Sequence, residues 1–177
     1  MPYRNRQQLV GQPVRYLFFW GHTPGQRGQV DASCLSQWYE SPFEANGLEY
    51  ATAEHYMMAE KARLFGDLAT LQQILASSNP GQAKALGRSV QGFVEQTWNE
   101  CCWDVVVRGN LGKFSQNPPL RDFLLATQNR VLVEASPHDR IWGIGLHRDD
   151  PRAAEPAQWL GENRLGFALM EVRSHLT

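Results

Sequence analysis

The chain reads EYATAEHYMMAEKARLFGD between Glu49 and Asp67, and this stretch predicts the helix around which the fold is built. Thr52 is a residue type that caps the start of a helix, and Gly66 is one that ends it. Between them, no glycine or proline interrupts about three to four helical turns. Winding the segment at the helical period predicts one apolar stripe, formed by Met57, Met58, Leu64, Phe65 and Leu68.

Two charged residues, Glu54 and Lys61, fall in the middle of that stripe. Burying a charge without a partner is costly, so an acid and a base on the inward face indicate that the helix lines a polar cavity. A structural interpretation is equally consistent with the pattern. A glutamate in the first turn suits the positive end of the helix dipole, and a lysine can extend its ammonium to water.

Length and composition predict one compact domain, residues 1–177, with a hydrophobic fraction of 42% that is sufficient for a core. The chain carries 17 basic and 18 acidic side chains and no dense run of Lys or Arg. Sequence-independent binding of duplex nucleic acid is therefore not expected, although one phosphate or one nucleotide can still be bound. The polar N-terminus and the short apolar runs predict a cytoplasmic protein without a signal peptide or a membrane partner.

Familiar metal and cofactor signatures are absent from the sequence. Cys101 and Cys102 are adjacent and the cysteine count of 3 is odd, so we expect reduced thiols rather than metal ligands. Glu54-His55 lacks the second histidine of a zinc-binding helix, and Gly143-Ile-Gly145 lacks the third glycine of a dinucleotide-binding turn. We therefore expect no metal and no cofactor.

Local signals elsewhere predict a few strands and about five or six helices, which gives an α+β, helix-dominated fold with a small sheet or hairpin. Strands are predicted at residues 14–20, at 43–45 and 48–50 around an Asn46-Gly47 hairpin turn, and in a second layer at 131–133. Further helices are predicted at Leu68–Leu75, from Pro80, from a Thr97–Glu100 capping box with weak points at Gly109 and Gly112, from Pro118, and after a cap at Asn163.

A turn-rich segment, Ser136–Gly143, concentrates polar side chains around Asp139 and Trp142. Loops of this kind often carry chemistry, so the segment is a candidate part of a functional site. The structural alternative is an Asx turn with Trp142 packed into the core. Trp98 is open to the same two interpretations, as a stacking surface or as a core anchor.

Several motifs taken together resemble the NADAR family, the YbiA-like N-glycosidases, in collinear order from about residue 16 to residue 174. They are Tyr50–Lys61 with its Ala-Glu-His-Tyr core, Gly87-Arg88, Trp98, Lys113-Phe114, Leu124–Thr127, Asp139 with Trp142-Gly143, and Asn163–Gly166 followed by Leu169–Arg173. Members of this family hydrolyse N-glycosidic bonds. Their substrates are ribosylamino-pyrimidine phosphates of the early riboflavin pathway or ADP-ribose attached to guanine.

The resemblance implies a YbiA-like fold and a set of site residues. By position, Glu54 and Asp139 become the catalytic carboxylates, Trp98 lies beside the base, and Lys61 and Arg88 lie near the phosphate. The same resemblance places Trp38 and Trp142 among the substrate-binding residues. The implied partner is a small nucleotide-like molecule or ADP-ribosylated guanine in nucleic acid.

Some positions depart from the enterobacterial members and affect the choice of substrate. Ala53 stands where a serine is common, Gly143-Ile-Gly145 replaces Gly-Asp-Gly, and Leu35–Trp38 replaces Leu-Ser-Asn-Phe. An insert, Arg148–Gln158, precedes the last helix. Both carboxylates are retained.

Cleavage of a C1′–N bond passes through an oxocarbenium-like state, which needs a group to stabilise the sugar carbon or activate water and a group to manage the proton of the base. The start of a helix favours the charged form of Glu54 and suits the stabilising role, whereas Asp139 would orient water or serve the base. The sequence leaves that division open. It also leaves open two non-catalytic alternatives, a module that binds ADP-ribose or NAD and a structural partner domain.

Overall fold

A computed structural model describes residues 3–26 and 28–177 of the chain. In this part of the chain there are six α-helices: α1 (Ala53–Leu64), α2 (Leu68–Leu75), α3 (Pro80–Arg88), α4 (Glu95–Gln116), α5 (Pro118–Ala126) and α6 (Arg164–Leu176). The four strands are β1 (Tyr16–Phe19), β2 (Phe43–Ala45), β3 (Leu48–Tyr50) and β4 (Val131–Glu134). The predicted α+β, helix-dominated class is confirmed.

The chain divides into two compact units, which are described separately below. The central unit is Gln37–Asn117, and the split unit combines Met1–Ser36 with Pro118–Thr177. The assignment of residues 1–177 to a single domain stays a prediction. Across the described residues, none of the helices combines the length and apolar character needed to cross a membrane.

The central unit begins with a hairpin that leads directly into α1. Strands β2 and β3 pair antiparallel, with Phe43 opposite Tyr50, and the turn residues Asn46 and Gly47 have φ angles of 54° and 73°. Two positive φ angles are what a tight two-residue hairpin requires, and Asn-Gly tolerates them best. The predicted hairpin is therefore confirmed residue by residue.

Helix α1 has the predicted ends but not the predicted stripe. The hydroxyl oxygen of Thr52 accepts a hydrogen bond from the amide of His55, and Gly66 follows the helix with a φ of 71°. The stripe is wrong at its end, because Leu64 is 41% exposed and Leu68 is 65% exposed. The first two turns are buried on every side because α1 packs against α2, α3 and α4, so a one-sided pattern does not describe this helix.

One further prediction, the start of helix α4, is wrong. The helix begins at Glu95 after Val94, so Thr97 lies inside the helix and the capping-box start is wrong. An acidic residue in the first turn still suits the helix dipole. The helix continues through Gly109 and Gly112, and their weakness stays a prediction. At Gly109 the missing side chain leaves room for a neighbour, since a Cβ there would lie 2.6 Å from the ring of Tyr56.

In the split unit, β1 and β4 pair parallel, with Tyr16 opposite Val131 and Phe19 opposite Glu134. The prediction of a second layer for residues 131–133 is therefore wrong, since both strands belong to one sheet. Helix α6 packs against β4, and its first residue follows Asn163.

Asn163 occupies the predicted cap position but does not cap the helix. Its φ of 56° is left-handed, and no side-chain capping bond forms. Instead its side chain bonds to strand β4, donating to the carbonyl of Leu132 over 2.9 Å and accepting from the amide of Glu134 over 2.9 Å. The residue therefore ties α6 to the sheet.

The insert before α6 forms two short 3₁₀ turns, Pro151–Ala154 and Pro156–Gln158. Directly after them, the buried indole of Trp159 donates to the carbonyl of Ala153 over 2.8 Å. The insert is thus packed onto its own tryptophan.

Candidate active site

Glu54 is the second residue of α1, and it is 5% exposed. Its backbone amide, one of the first-turn amides that has no partner within the helix, donates to the carbonyl of Gln37 over 3.0 Å. A carboxylate at this end of a helix lies in the positive field of the helix dipole, which favours its charged form. The structure therefore buries a carboxylate at the position that the resemblance makes catalytic.

Two amide side chains lie next to this helix start. The fully buried Asn110 donates from Nδ2 to Oε1 of Gln37 over 2.7 Å and to the carbonyl of Val106 over 2.9 Å. Oδ1 of Asn110 accepts no hydrogen bond from the described residues. Since Gln37 also accepts from the amide of Glu54, these bonds connect α4 to the loop that holds the start of α1.

His55, adjacent to Glu54, is also buried, and its Nδ1 lies 2.8 Å from the hydroxyl of Thr52. Burial lowers the pKa of His55, and a hydrogen bond to the backbone of Ser77 acts in the opposite direction. A lowered pKa leaves the imidazole neutral at neutral pH. His55 is therefore a poor source of positive charge beside Glu54.

Lys61 lies seven residues after Glu54 on α1, about 10 Å along the helix axis. Its Nζ is 4.1 Å from the centroid of the Phe93 ring and 5.8 Å from that of Trp98. Loss of hydration and, secondarily, the positive charge of Arg88 lower the pKa of Lys61. Among residues 3–26 and 28–177, no carboxylate lies within 4.0 Å of either cation. Two neighbouring cations without an ion pair form a suitable site for an anion.

The two candidate tryptophans of the central unit differ in their surroundings. Trp98 is 9% exposed, with the ammonium of Lys61 over its ring. Trp38 is half-buried, and Nζ of Lys84 lies 5.8 Å from its ring. The structure therefore places Lys61 beside Trp98 and within electrostatic range of Arg88, and it places Trp38 beside α3.

Asp139 belongs to the split unit, in the loop that follows β4. Its Oδ1 accepts from the amides of Ile141 over 2.9 Å and Trp142 over 2.8 Å, which is the Asx turn considered above. Trp142 is half-buried, with the guanidinium of Arg164 5.2 Å from its ring. The turn fixes the carboxyl group of Asp139 at the carboxyl end of the β1–β4 pair, where parallel sheets commonly bind ligands.

The NADAR domain family matches residues 18–177 of this sequence. The chain belongs to the NADAR family. The N-glycosidase R617 of Acanthamoeba polyphaga mimivirus is 43% identical over 90% of this chain and 95% of its own length. The N-glycosidase YbiA of Escherichia coli (strain K12) is 33% identical, covering 82% of this chain and 81% of that protein.

Structure comparison agrees with the sequence comparison. The NMR structure of the Escherichia coli protein YbiA matches with a TM-score of 0.74 and 28% identity, over 99% of this chain and 93% of that one. The YbiA-like fold and the family resemblance are both confirmed. With several relatives named N-glycosidase, this NADAR protein is a hydrolase that acts on N-glycosyl bonds.

Sequence reasoning missed a group of rings in the split unit of this NADAR protein. Trp20 directly follows β1, and its ring lies 6.1 Å from that of His138 and 5.6 Å from that of His147. The sequence assigned Trp20 to the strand itself, counted His138 only as part of the Ser136–Gly143 segment, and gave His147 no role. A tryptophan at the end of a short strand was the available signal.

Gln37 and Phe93 were also missed, because each contacts α1 from a distant part of the sequence. Asn110 was missed for the same reason, since it bonds to Gln37 across 73 residues. The described residues contain no group of three or more His, Cys, Asp or Glu side chains arranged to hold a metal ion.

Proposed function

We propose that this NADAR protein hydrolyses the C1′–N bond of a ribosylated or ADP-ribosylated heterocyclic base, without a cofactor. Ribosylamino-pyrimidine phosphates of early riboflavin biosynthesis are the leading substrate class. The observation that carries the proposal is the buried carboxylate of Glu54 at the start of α1, with Lys61 two turns further along the same helix and Arg88 of α3 in electrostatic range of Lys61. A cytoplasmic location, with all three cysteines reduced, is part of this proposal.

Glu54 has the surroundings that the reaction needs. As the bond to the base breaks, positive charge develops at C1′ of the ribose, and a carboxylate stabilises that charge or captures the carbon. The helix dipole favours the charged form of Glu54, which this role requires. Asp139 then orients the attacking water or exchanges a proton with the base, from a turn whose amides keep its carboxyl group in place.

The Lys61–Arg88 pair supports a phosphorylated substrate. An anion between these cations offsets their mutual repulsion and the loss of hydration at Lys61. Its separation from Glu54 along α1 suits a phosphate on the sugar rather than a group at the reacting carbon.

An ADP-ribosyl substrate is the second candidate, in which the enzyme removes ADP-ribose from guanine in nucleic acid. One observation favours it, namely that the ring group around Trp20 offers an exposed aromatic surface that suits the adenine of such a substrate. A non-catalytic module that binds ADP-ribose or NAD would use the same surfaces without cleaving a bond.

The test is a chromatographic assay for free base. Purified protein is incubated with ribosylamino-pyrimidine phosphates, with DNA that carries ADP-ribosylated guanine, and with NAD, and each reaction is compared with one lacking protein. Release of base from the first or second substrate supports the corresponding proposal. Thermal stabilisation by a ligand without release of any base would instead support the non-catalytic module.

A further inference from the structure

Trp20 is the most exposed tryptophan of the protein: 47% of the residue is accessible, whereas Trp98 and Trp159 are buried and the other three are half-buried. An indole left in water forgoes the stabilisation that burial of its large apolar surface would give. An isolated exposed apolar residue needs no explanation, but Trp20 is not isolated.

The indole of Trp20 contacts two imidazoles, those of His138 and His147, which come from different parts of the chain. The ring of His138 meets Trp20 at an interplanar angle of 60°, and the ring of His147 meets it at 84°. Both are edge-to-face arrangements, the geometry in which aromatic pairs attract each other. His147 is itself restrained, because its Nδ1 lies 3.2 Å from a carboxylate oxygen of Asp149. The indole is therefore positioned and still accessible.

The placement of this group in the split unit matters as much as its exposure. Trp20 follows β1 and the loop with His138 follows β4, so both lie at the carboxyl end of the parallel pair. His138 is the residue directly before Asp139. A positioned aromatic face thus lies at the same sheet edge as a candidate catalytic carboxylate.

We propose that Trp20, supported by His138 and His147, binds a planar heterocycle of the substrate by stacking and thereby contributes to substrate choice. This inference rests on the proposed function, because it assumes a substrate that carries such a ring. The heterocycle is either the base that is released or the adenine of an ADP-ribosyl group. Stacking on an aromatic side chain tolerates any base, because every base has a π-face.

Calorimetric titration of Trp20→Ala, Trp20→Phe and wild type with adenosine monophosphate, ADP-ribose and ribose 5-phosphate tests the proposal. Trp20→Ala is expected to weaken binding of the two adenine compounds about 5- to 150-fold, with little change for ribose 5-phosphate, which has no heterocycle. Trp20→Phe retains an aromatic face and most of the affinity. Val10→Ala, a truncation at an exposed apolar residue of the same unit, serves as the control and leaves all three affinities unchanged.

The source of the heterocycle follows from a second measurement on the same variants. If the ring is the released base, Trp20→Ala raises KM for a ribosylamino-pyrimidine phosphate. If it is adenine, that KM is unchanged while ADP-ribose binds more weakly. Either result supports the stacking role.

Two results would overturn the stacking role of Trp20. One is an equal loss of affinity for ribose 5-phosphate and ADP-ribose in Trp20→Ala, and the other is no loss of affinity for any ligand together with an unchanged KM. Quenching of indole fluorescence by adenosine monophosphate gives a readout that does not depend on the alanine variant folding. Trp20→Phe should diminish that quenching to what the other five tryptophans contribute, and undiminished quenching in this variant would also overturn the proposal. Binding is measured separately from base release, so a failure at Trp20 is distinct from a failure of the proposed reaction.

Discussion

The ammonium nitrogen of Lys61 lies 4.1 Å from the centroid of the Phe93 ring. An aromatic face attracts a cation without neutralising it, so the positive charge stays available to a ligand. The half-buried position on α1 limits the hydration that would otherwise compete with an anion. The contact is therefore compatible with the proposed role of Lys61 in binding a substrate phosphate.

Replacement of Lys61 by methionine should separate the effect of the side chain's charge on substrate binding from the effect of its shape. Lys61→Met preserves side-chain length and helix propensity, so we expect a strong rise in KM for a phosphorylated substrate and a much smaller rise for its dephosphorylated nucleoside. Steady-state kinetics on the two substrates make the comparison. Equal losses on both would show that Lys61 acts on Glu54 or on the fold instead.

The lowered pKa of Lys61 predicts a pH dependence. Phosphate binding needs the charged ammonium, so KM for the phosphorylated substrate should begin to rise at a pH below the ordinary lysine value of 10.5. The stability of the fold should increase with pH over this range, while phosphate binding weakens. In the window between the lowered pKa and 10.5 the unfolded chain binds more protons at Lys61, so the free energy of unfolding rises with pH. Lys61→Met should remove both effects, and a KM profile that is unchanged in the variant would contradict the assignment.

Asp139 can be tested with two substitutions that differ in one property. Asp139→Asn keeps an Oδ1 that accepts from the amides of Ile141 and Trp142, whereas Asp139→Ala removes it. If the charge is catalytic, Asn should lower kcat by about 100-fold or more with a nearly unchanged melting temperature. If the residue only builds the turn, Asn should behave as wild type and Ala should lose stability first.

Trp98 is buried, so its truncation should lower the stability of the folded protein. We expect Trp98→Ala to lower the free energy of unfolding by about 3–5 kcal/mol, as is usual for a large aromatic residue in a core. Trp98→Phe should retain most of the stability and show any contribution to base binding as a change in KM. Urea denaturation of both variants provides the measurement. A fully stable Trp98→Ala protein with a raised KM would assign the residue to stacking alone.

Local signals predicted the elements of the central unit well where the backbone itself sets the structure. Asn46-Gly47 specifies its turn by the φ angles it permits, and Thr52 and Gly66 mark the ends of α1. The stripe on α1 failed at Leu64 because burial there depends on three partner helices, which the sequence of α1 does not encode. It failed at Leu68 because α1 ends before that residue, which begins α2.

The candidate site was predictable to the extent that it lies on one helix. Glu54 and Lys61 share α1, so helical spacing alone singled them out. Gln37 and Phe93 approach that helix through tertiary packing, and the parallel pairing of β1 with β4 joins segments more than a hundred residues apart. No periodicity within a short window contains such information.

Gly109 provides a test of the packing between α1 and α4. Alanine normally stabilises a helix relative to glycine by about 1 kcal/mol, but a Cβ at this position would lie 2.6 Å from the buried ring of Tyr56. We expect Gly109→Ala to lower the free energy of unfolding by roughly 1–3 kcal/mol in urea denaturation. Ser115→Ala, at an exposed site on the same helix, is the control and should not be destabilising. A stabilised Gly109→Ala protein would mean that the Tyr56 ring can move aside.

The central claim is that the carboxylate of Glu54 acts on the N-glycosidic bond. Glu54→Gln keeps the shape of this buried side chain and removes its charge, and Glu60→Gln makes the same change further along α1. The most direct measurement is the rate of free-base release by both variants on the substrate that wild type cleaves, with ligand binding followed by calorimetry. We expect Glu54→Gln to lose at least about 100-fold in kcat while it still folds and binds ligand, and Glu60→Gln to retain activity. Release of base by Glu54→Gln at the wild-type rate would contradict the account.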